Sequence, residues 1–286
     1  MVHPAPRRRS FFQSELWLHL ALIAVALFSV LPLWWAGVSS LKDSPRVFRD
    51  LSPFSWEALL PTDPSLDAYI ALFTKTNFGR AMANSAFIVI ATIAGGLVVN
   101  GLAGFAFAKF RFRGKEALFL LVLITFMVPF EVIAIPLYIL IQTLGWVNTY
   151  YALIIPAIPN GLVIFLFRQL YASIPDDLIE SAKIDGASWP TILWRIIVPL
   201  SKPASITASL IIFVYQWEVF LWPLIAANTP DLMTIQVALS LFQQEYQTLW
   251  DRLFAGIIVS VLVPLLVLIP LQKYYVQGIA TTGMKE

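Results

Sequence analysis

Two features of this sequence could do chemistry, and neither uses the common nucleophiles. The first runs from Ser173 to Pro199. Ser173 can cap a helix, Pro175 is tolerated in a first turn, and Asp176, Asp177 and Glu180 favour the positive end of the helix dipole. Gly186 readily takes the left-handed conformation that closes a helix. A second start follows at Ser188 with Pro190 in the first turn, and Val198-Pro199 is expected to end it. The spacing predicts two short helices, about 174–184 and 189–197, hinged at Asp185-Gly186. Leu178, Ile179, Ala182 and Ile184, then Ile192, Leu193, Ile196 and Ile197, give each piece an apolar face opposite a charged one. Such a pair can present a knob to a partner. The second feature is two isolated carboxylates, Glu131 and Glu218, in otherwise apolar runs.

Other chemistry is excluded or unsupported. There is no cysteine, so neither disulfides nor thiolates arise. His3 and His19 have no neighbours with which to hold zinc, so no metal site is expected. No pairing of serine, histidine and carboxylate suggests catalysis. The single Gly-Lys, Gly114-Lys115, lacks the upstream glycine and following hydroxyl of a phosphate loop, so ATP hydrolysis by this chain is not expected. A net charge of +2 is too small to suggest a nucleic-acid partner.

The elements that must position these groups are membrane helices. Of the 286 residues 59% are hydrophobic and 13% charged, about half the charge of a soluble domain. No charged residue lies between Glu15 and Lys42, Arg80 and Lys109, or Arg252 and Lys273. Each gap holds the roughly 20 residues that a hydrocarbon core of about 30 Å demands. The long run Val132 to Phe167 is cut at Gln142 to Thr149, where polar and turn-forming residues gather. Six spans result, about 16–38, 83–107, 117–140, 150–169, 204–226 and 253–272. The runs are continuously apolar and lack the alternation of a barrel. The first is read as a retained helix, since it is long and lacks a small-residue cleavage site.

Counting Lys and Arg by side gives thirteen with the termini against six opposite, which places both termini in the cytoplasm. The basic loop from Lys109 to Lys115 is read as a topology signal. The organisation expected is a cytoplasmic tail 1–15, a six-helix domain 16–272 with a cytoplasmic loop 170–203, and a cytoplasmic tail 273–286. Loop 170–203 is far longer than neighbouring antiparallel helices need.

Glu180-Ser181-Ala182-Lys183-Ile184-Asp185-Gly186-Ala187-Ser188, followed by Trp194, Ile197, Pro199 and Pro203, resembles the EAA motif of ABC-importer permeases. The pattern departs at Ser181, Trp194 and Val198, all conservatively. Phe126 to Leu137, Leu144 to Thr149, Phe167 to Leu170 with Ile174-Pro175, and the tail from Gly278 to Lys285 are similar to the maltose-permease-like carbohydrate group. The similarity is nearly continuous from about residue 80 onward. It implies an all-α polytopic membrane protein with the type I ABC importer permease fold, in the cytoplasmic membrane of a prokaryote. It implies ATPase coupling through Glu180, Ser181, Ala182, Asp185, Gly186, Ala187 and Pro199, and a tail at the ATPase carrying Gly278, Thr282, Gly283 and Lys285. The implied partners are a dimer of ATP-binding subunits that hold ATP and Mg, a second homologous permease, an extracytoplasmic solute-binding protein and membrane lipid. No cofactor is expected in the chain itself.

A charge at membrane depth costs roughly 2.5 kcal/mol or more, so Glu131 and Glu218 should face a cavity or a partner subunit. Glu218 stands among Trp217, Phe220 and Trp222, and aromatic faces beside hydrogen-bonding groups suit sugars. Glu131, Trp217, Glu218 and Trp222 are therefore the substrate-pathway candidates. Two alternatives stay open: pairing of Glu218 with the partner permease, and a structural role for Glu131 near a proline kink in the middle of the third span. An ion-coupled secondary transporter, and an importer for glycerol phosphate or a polyol, are the alternatives for function as a whole.

Overall fold

The computed structural model describes residues 9–243 and 248–283, with side chains over 16–243 and 248–272. It divides into two compact units, Met1–Thr76 with Phe242–Val259, and Asn77–Leu241 with Ser260–Glu286.

In the first unit α1 (Arg9–Ser39) is followed by α2 (Arg46–Arg49), a 3-10 turn (Trp56–Ala58) and α3 (Asp67–Thr74). Ala36, Val47 and Phe254 form a small core, with the rings of Trp35 and Phe254 edge to face at 5.1 Å. Lys42 and Asp50 make a buried ion pair at 3.0 Å, and Lys42 also donates to the Glu57 carbonyl. The Lys42 ammonium holds the Asp50 carboxyl below its ordinary value.

The second unit begins with α4 (Phe78–Lys109), α5 (Lys115–Met127), α6 (Phe130–Thr143), α7 (Tyr150–Ile154), a 3-10 turn (Ile155–Ala157) and α8 (Gly161–Ser173). Then come α9 (Asp176–Ile184), α10 (Trp189–Ile192), a π-helical turn (Leu193–Ile197), α11 (Val198–Leu200), α12 (Lys202–Glu218), α13 (Leu221–Ala226) and α14 (Ile235–Ser240). Helix α15 (Trp250–Gly283) closes the described chain.

Among the described residues three helices are long and apolar enough to span a bilayer: Leu16–Ser39, Phe78–Lys109 and Trp250–Gln272. Counting each of three bent pairs as one span, by length and composition, brings the number to as many as six: Lys115–Met127 with Phe130–Thr143, Tyr150–Ala157 with Gly161–Ser173, and Trp189–Leu200 with Lys202–Glu218, where α12 supplies the apolar length. The cut at 142–149 is where α6 gives way to α7. The third span differs from the single helix expected over 117–140, because its halves meet at 99°. Val128 precedes Pro129 and is therefore pushed to extended backbone (ψ 123°), which ends α5. The fifth, expected over 204–226, breaks at Val219, also extended at ψ 126°.

Small residues let these helices approach closely, as membrane packing requires. A Cβ on Gly104 of α4 would lie 2.5 Å from the Phe167 Cβ of α8, and one on Gly161 would lie 2.9 Å from the Val122 carbonyl of α5. The helix break after Ala157 frees backbone groups inside the second unit, and a buried polar side chain takes them up. Asn100, fully buried on α4, donates to the Ile158 carbonyl and accepts from the Asn160 amide, both at 2.9 Å, across the break between Ala157 and Gly161. Asn160 in turn caps α8 through the amides of Leu162 and Val163.

Candidate functional site

The hinge expected at Asp185-Gly186 is built from backbone hydrogen bonds. Gly186 has φ +80°, its amide bonds the Lys183 carbonyl at 3.0 Å, and the Ala187 amide bonds the Ala182 carbonyl at 2.9 Å. This is a Schellman closure, and a left-handed glycine makes it at no steric cost. A Cβ on Gly186 would meet nothing within 4 Å, so the hinge is open on its outer side. Ser188 then adopts the extended conformation that precedes a helix, with Pro190 in the first turn of α10.

Both ends of the hairpin differ from expectation. Ser173 does not cap α9; it is the last residue of α8, and its hydroxyl donates to the Leu170 carbonyl at 2.7 Å. Pro175 occupies the cap position, with Asp176 and Asp177 in the first turn. Val198-Pro199 does not end the second helix. The π-helical turn widens the register so that the missing N–H of Pro199 falls at the start of α11, and the chain leaves the helix only at Ser201.

The hairpin has an inner and an outer face. Ile179, Ile192, Leu193 and Ile197 are buried in one cluster with Phe105, Phe167 and Tyr171, and Ala182 and Ala187 pack against it. Ile179 and Ala182, three apart, set the inward stripe of α9. Leu178 and Ile184, expected on that face, are exposed instead; around the helix Ile184 lies about 170° from the middle of the inward stripe, and Leu178 about 70°, at its edge. Ile184 is 86% exposed. Glu180, Ser181, Asp185, Gly186 and Pro199 are exposed too, and Trp194 stands out beside them. Neither Glu180 nor Asp185 has a hydrogen-bond or ion-pair partner for its side chain among the described residues.

Three side chains, Lys183, Trp189 and Lys109, make the contacts that fix this hairpin. The Lys183 ammonium lies 4.0 Å above the Trp189 ring across the hinge. Trp189 meets Phe110 edge to face at 4.8 Å and Phe105 at 5.8 Å. Lys109, at the end of α4, donates to the Ile174 carbonyl and to the Asp176 carboxylate, each at 2.6 Å. That hydrogen bond, with the charge behind it, holds Asp176 below its ordinary value. Sequence reasoning read Lys109 as part of a topology signal and missed this contact. Its legible trace was the acidic first turn of α9.

The four pathway candidates fall into two kinds. Trp217 and Trp222 are buried, and both indole N–H groups are committed. Trp222 donates at 2.8 Å to the Ala152 carbonyl, whose helical partner four residues on would be Pro156, which has no N–H. Trp217 donates at 3.2 Å to the Ser260 carbonyl, deprived in the same way by Pro264. These indoles replace hydrogen bonds that prolines remove. Glu131 and Glu218 are exposed and carry no partner among the described residues. Glu131 lies in the first turn of α6, directly after the break at Pro129, rather than in mid-helix as expected. Glu218 ends α12 at the break before α13. The ring of Phe130, beside Glu131, meets that of Trp222 edge to face at 5.7 Å, so the two breaks adjoin. The tail candidates Gly278, Thr282 and Gly283 fall on the last turns of α15, but their side chains lie outside the described residues, as does Lys285 altogether. No group of His, Cys, Asp and Glu able to hold a metal occurs among the described residues.

Comparisons with known proteins bear on this arrangement. Residues 100–281 match the family model "Binding-protein-dependent transport system inner membrane component". The arabinooligosaccharides transport system permease protein AraQ of Halalkalibacterium halodurans is 31% identical over 91% of this chain and 93% of its own length. The sn-glycerol-3-phosphate transport system permease protein UgpE of Brucella melitensis is 30% identical over 92% of this chain and 95% of its own. The lactose transport system permease protein LacG of Rhizobium radiobacter is 31% identical, covering 90% and 92%. Among solved structures, a chain of a bacterial ABC transporter involved in the import of the acidic polysaccharide alginate superposes with a TM-score of 0.80 over 96% of this chain and 99% of that one; at 22% identity the likeness is one of fold. With its six spans and helical hairpin, the chain belongs to the family of binding-protein-dependent transport system inner membrane components, the multi-pass permease subunits of ABC importers.

Proposed function

We propose that this permease carries a carbohydrate or a related polyol or its phosphate, delivered by an extracytoplasmic binding protein, and that the α9–α10 hairpin is where a separate ATPase delivers its stroke. The observation that supports the coupling role is the outer face of the hairpin. Ile184, Trp194 and the unpaired Glu180 and Asp185 project from a hinge whose inner face is fully packed. An exposed apolar and charged knob on a fixed base is what a docking partner can grip. The solute class rests on relatives named for arabinooligosaccharides, lactose and sn-glycerol 3-phosphate.

In this reading the hairpin and both termini are cytoplasmic, as the distribution of Lys and Arg favours. ATP and Mg bind a dimer of ATPase subunits, and a second homologous permease completes the pathway. Glu131 and Glu218, at adjoining helix breaks, are the groups of the four candidates open to a solute or to that second subunit. ATP-driven closure of the ATPase moves the hairpin, and the helices switch access because the hairpin makes different contacts in the two states.

The test is uptake by proteoliposomes holding both permeases and the ATPase, with the cognate binding protein added. An arabinooligosaccharide, lactose and sn-glycerol 3-phosphate are offered in turn. At least one is expected to accumulate only when ATP is supplied on the face carrying the ATPase. Accumulation without the ATPase, driven by an imposed ion gradient, would overturn the reading.

A further inference from the structure

We propose that Lys109 is the positioning residue that fastens the hairpin to α4, so that movement of the hairpin is delivered to that helix. The proposal rests on the reading of the hairpin as the ATPase's docking point. The Lys109 side chain is only 6% exposed although it ends a helix and opens a basic loop. An ammonium has three donors and no acceptor. Here two donors are placed on α9 and its entry: on the Ile174 carbonyl in the two-residue link from α8, and on Asp176 in the first turn.

The rest of what holds α9 is different in kind. Ile179 and Ala182 pack on an apolar cluster, and hydrophobic contact is non-directional, so by itself it permits sliding and rotation. A charge-assisted hydrogen bond to a carboxylate with a second to a carbonyl fixes direction and register. The next residue, Phe110, carries the contact to Trp189 and hence to the second arm. The end of α4 thus grips both arms. Above that grip α4 is held against α8 where Gly104 meets Phe167, so displacement of its end passes into the bundle. Arg111 and Lys183 also act on Asp176, but through charge alone.

The chain has no cysteine, so single labels can be placed at will. A spin label is attached at Asp177→Cys on α9 or at Val98→Cys on α4, and the complete importer is studied in nanodiscs with ATP and vanadate. In the parent both labels are expected to change mobility. With Lys109→Met the α4 response is expected to be lost while the α9 response remains, and Lys109→Arg restores it. Arg113→Gln, which removes a cation from the same loop, should leave both responses intact. Asp176→Lys sets a second cation against Lys109 on a side chain that is 74% exposed, and should reproduce the loss without endangering the fold. Retention of the α4 response in either Lys109→Met or Asp176→Lys overturns the proposal, as does an equal loss in Arg113→Gln. Absence of any α9 response in the parent overturns the docking reading itself and the proposal with it.

Discussion

The hinge at Gly186 and the helix breaks at Pro129 and Val219 both interrupt helices, yet they are built in opposite ways. At the hinge the amides of Asp185, Gly186 and Ala187 are closed onto carbonyls of α9, and the exposed side chains project from a base packed on Phe105 and Phe167. Around the breaks Trp217 and Trp222 are buried, while the carboxylates Glu131 and Glu218 remain exposed. In the proposed reading, a closed turn on a fixed base can receive force, whereas unpartnered charge at a break can serve as a binding group for a partner or a solute.

The largest effect is expected at Gly186. Gly186→Val forces a β-branched residue into a left-handed conformation that costs roughly 1–2 kcal/mol, without any clash in the surrounding space. ATP-driven uptake in proteoliposomes should fall about tenfold or more, the factor that about 1.4 kcal/mol represents. The melting temperature of the chain in detergent should shift by only a few degrees. Trp222→Phe should do the reverse. Leaving the Ala152 carbonyl unsatisfied costs about 1–3 kcal/mol, read as a lower melting temperature with the order of solute preference unchanged. Adding Pro156→Ala, which restores an N–H four residues on, should recover part of that loss; additive effects of the two changes would show that Trp222 acts otherwise.

A smaller effect is expected at the carboxylates. Glu218→Gln and Glu131→Gln break no hydrogen bond or ion pair among the described residues, so stability should hold while the apparent KM for solute changes. Lowered stability with unaltered KM would mean that they serve structure. The smallest effect concerns pH. Asp176 has its carboxyl lowered by Lys109, so its contribution is complete above the ordinary value of 3.8 and is lost only as pH falls through the still lower folded value. Mobility of a label at Asp177→Cys should therefore be constant from about pH 8 to pH 5, a range that lies wholly above both values.

Where local chemistry decides structure, the residues were legible. Gly186, Ser188 and Pro190 specify the hinge within a few positions of chain, and the uncharged runs specify the spans. Where distant residues decide, they were not. Nothing near Trp222 in sequence reveals that Pro156 has deprived a carbonyl of its partner, so its aromatic face read as a sugar platform. Lys109 looked like one cation among four until α9 folded beside it. Ile184 looked like core because its apolar character was visible and its angle around α9, set by Ile179 and Ala182, was not. The π-helical turn that carries the chain past Pro199 has no short sequence signal.

The proposed coupling role requires that an ATPase cover the outer face of the hairpin. Ile184→Cys supplies a single reactive group at a side chain that is 86% exposed in the chain itself. Its rate of reaction with a water-soluble maleimide should be high in the isolated permease and should fall sharply when the ATPase subunits are bound. Equal rates with and without the ATPase would contradict the assignment.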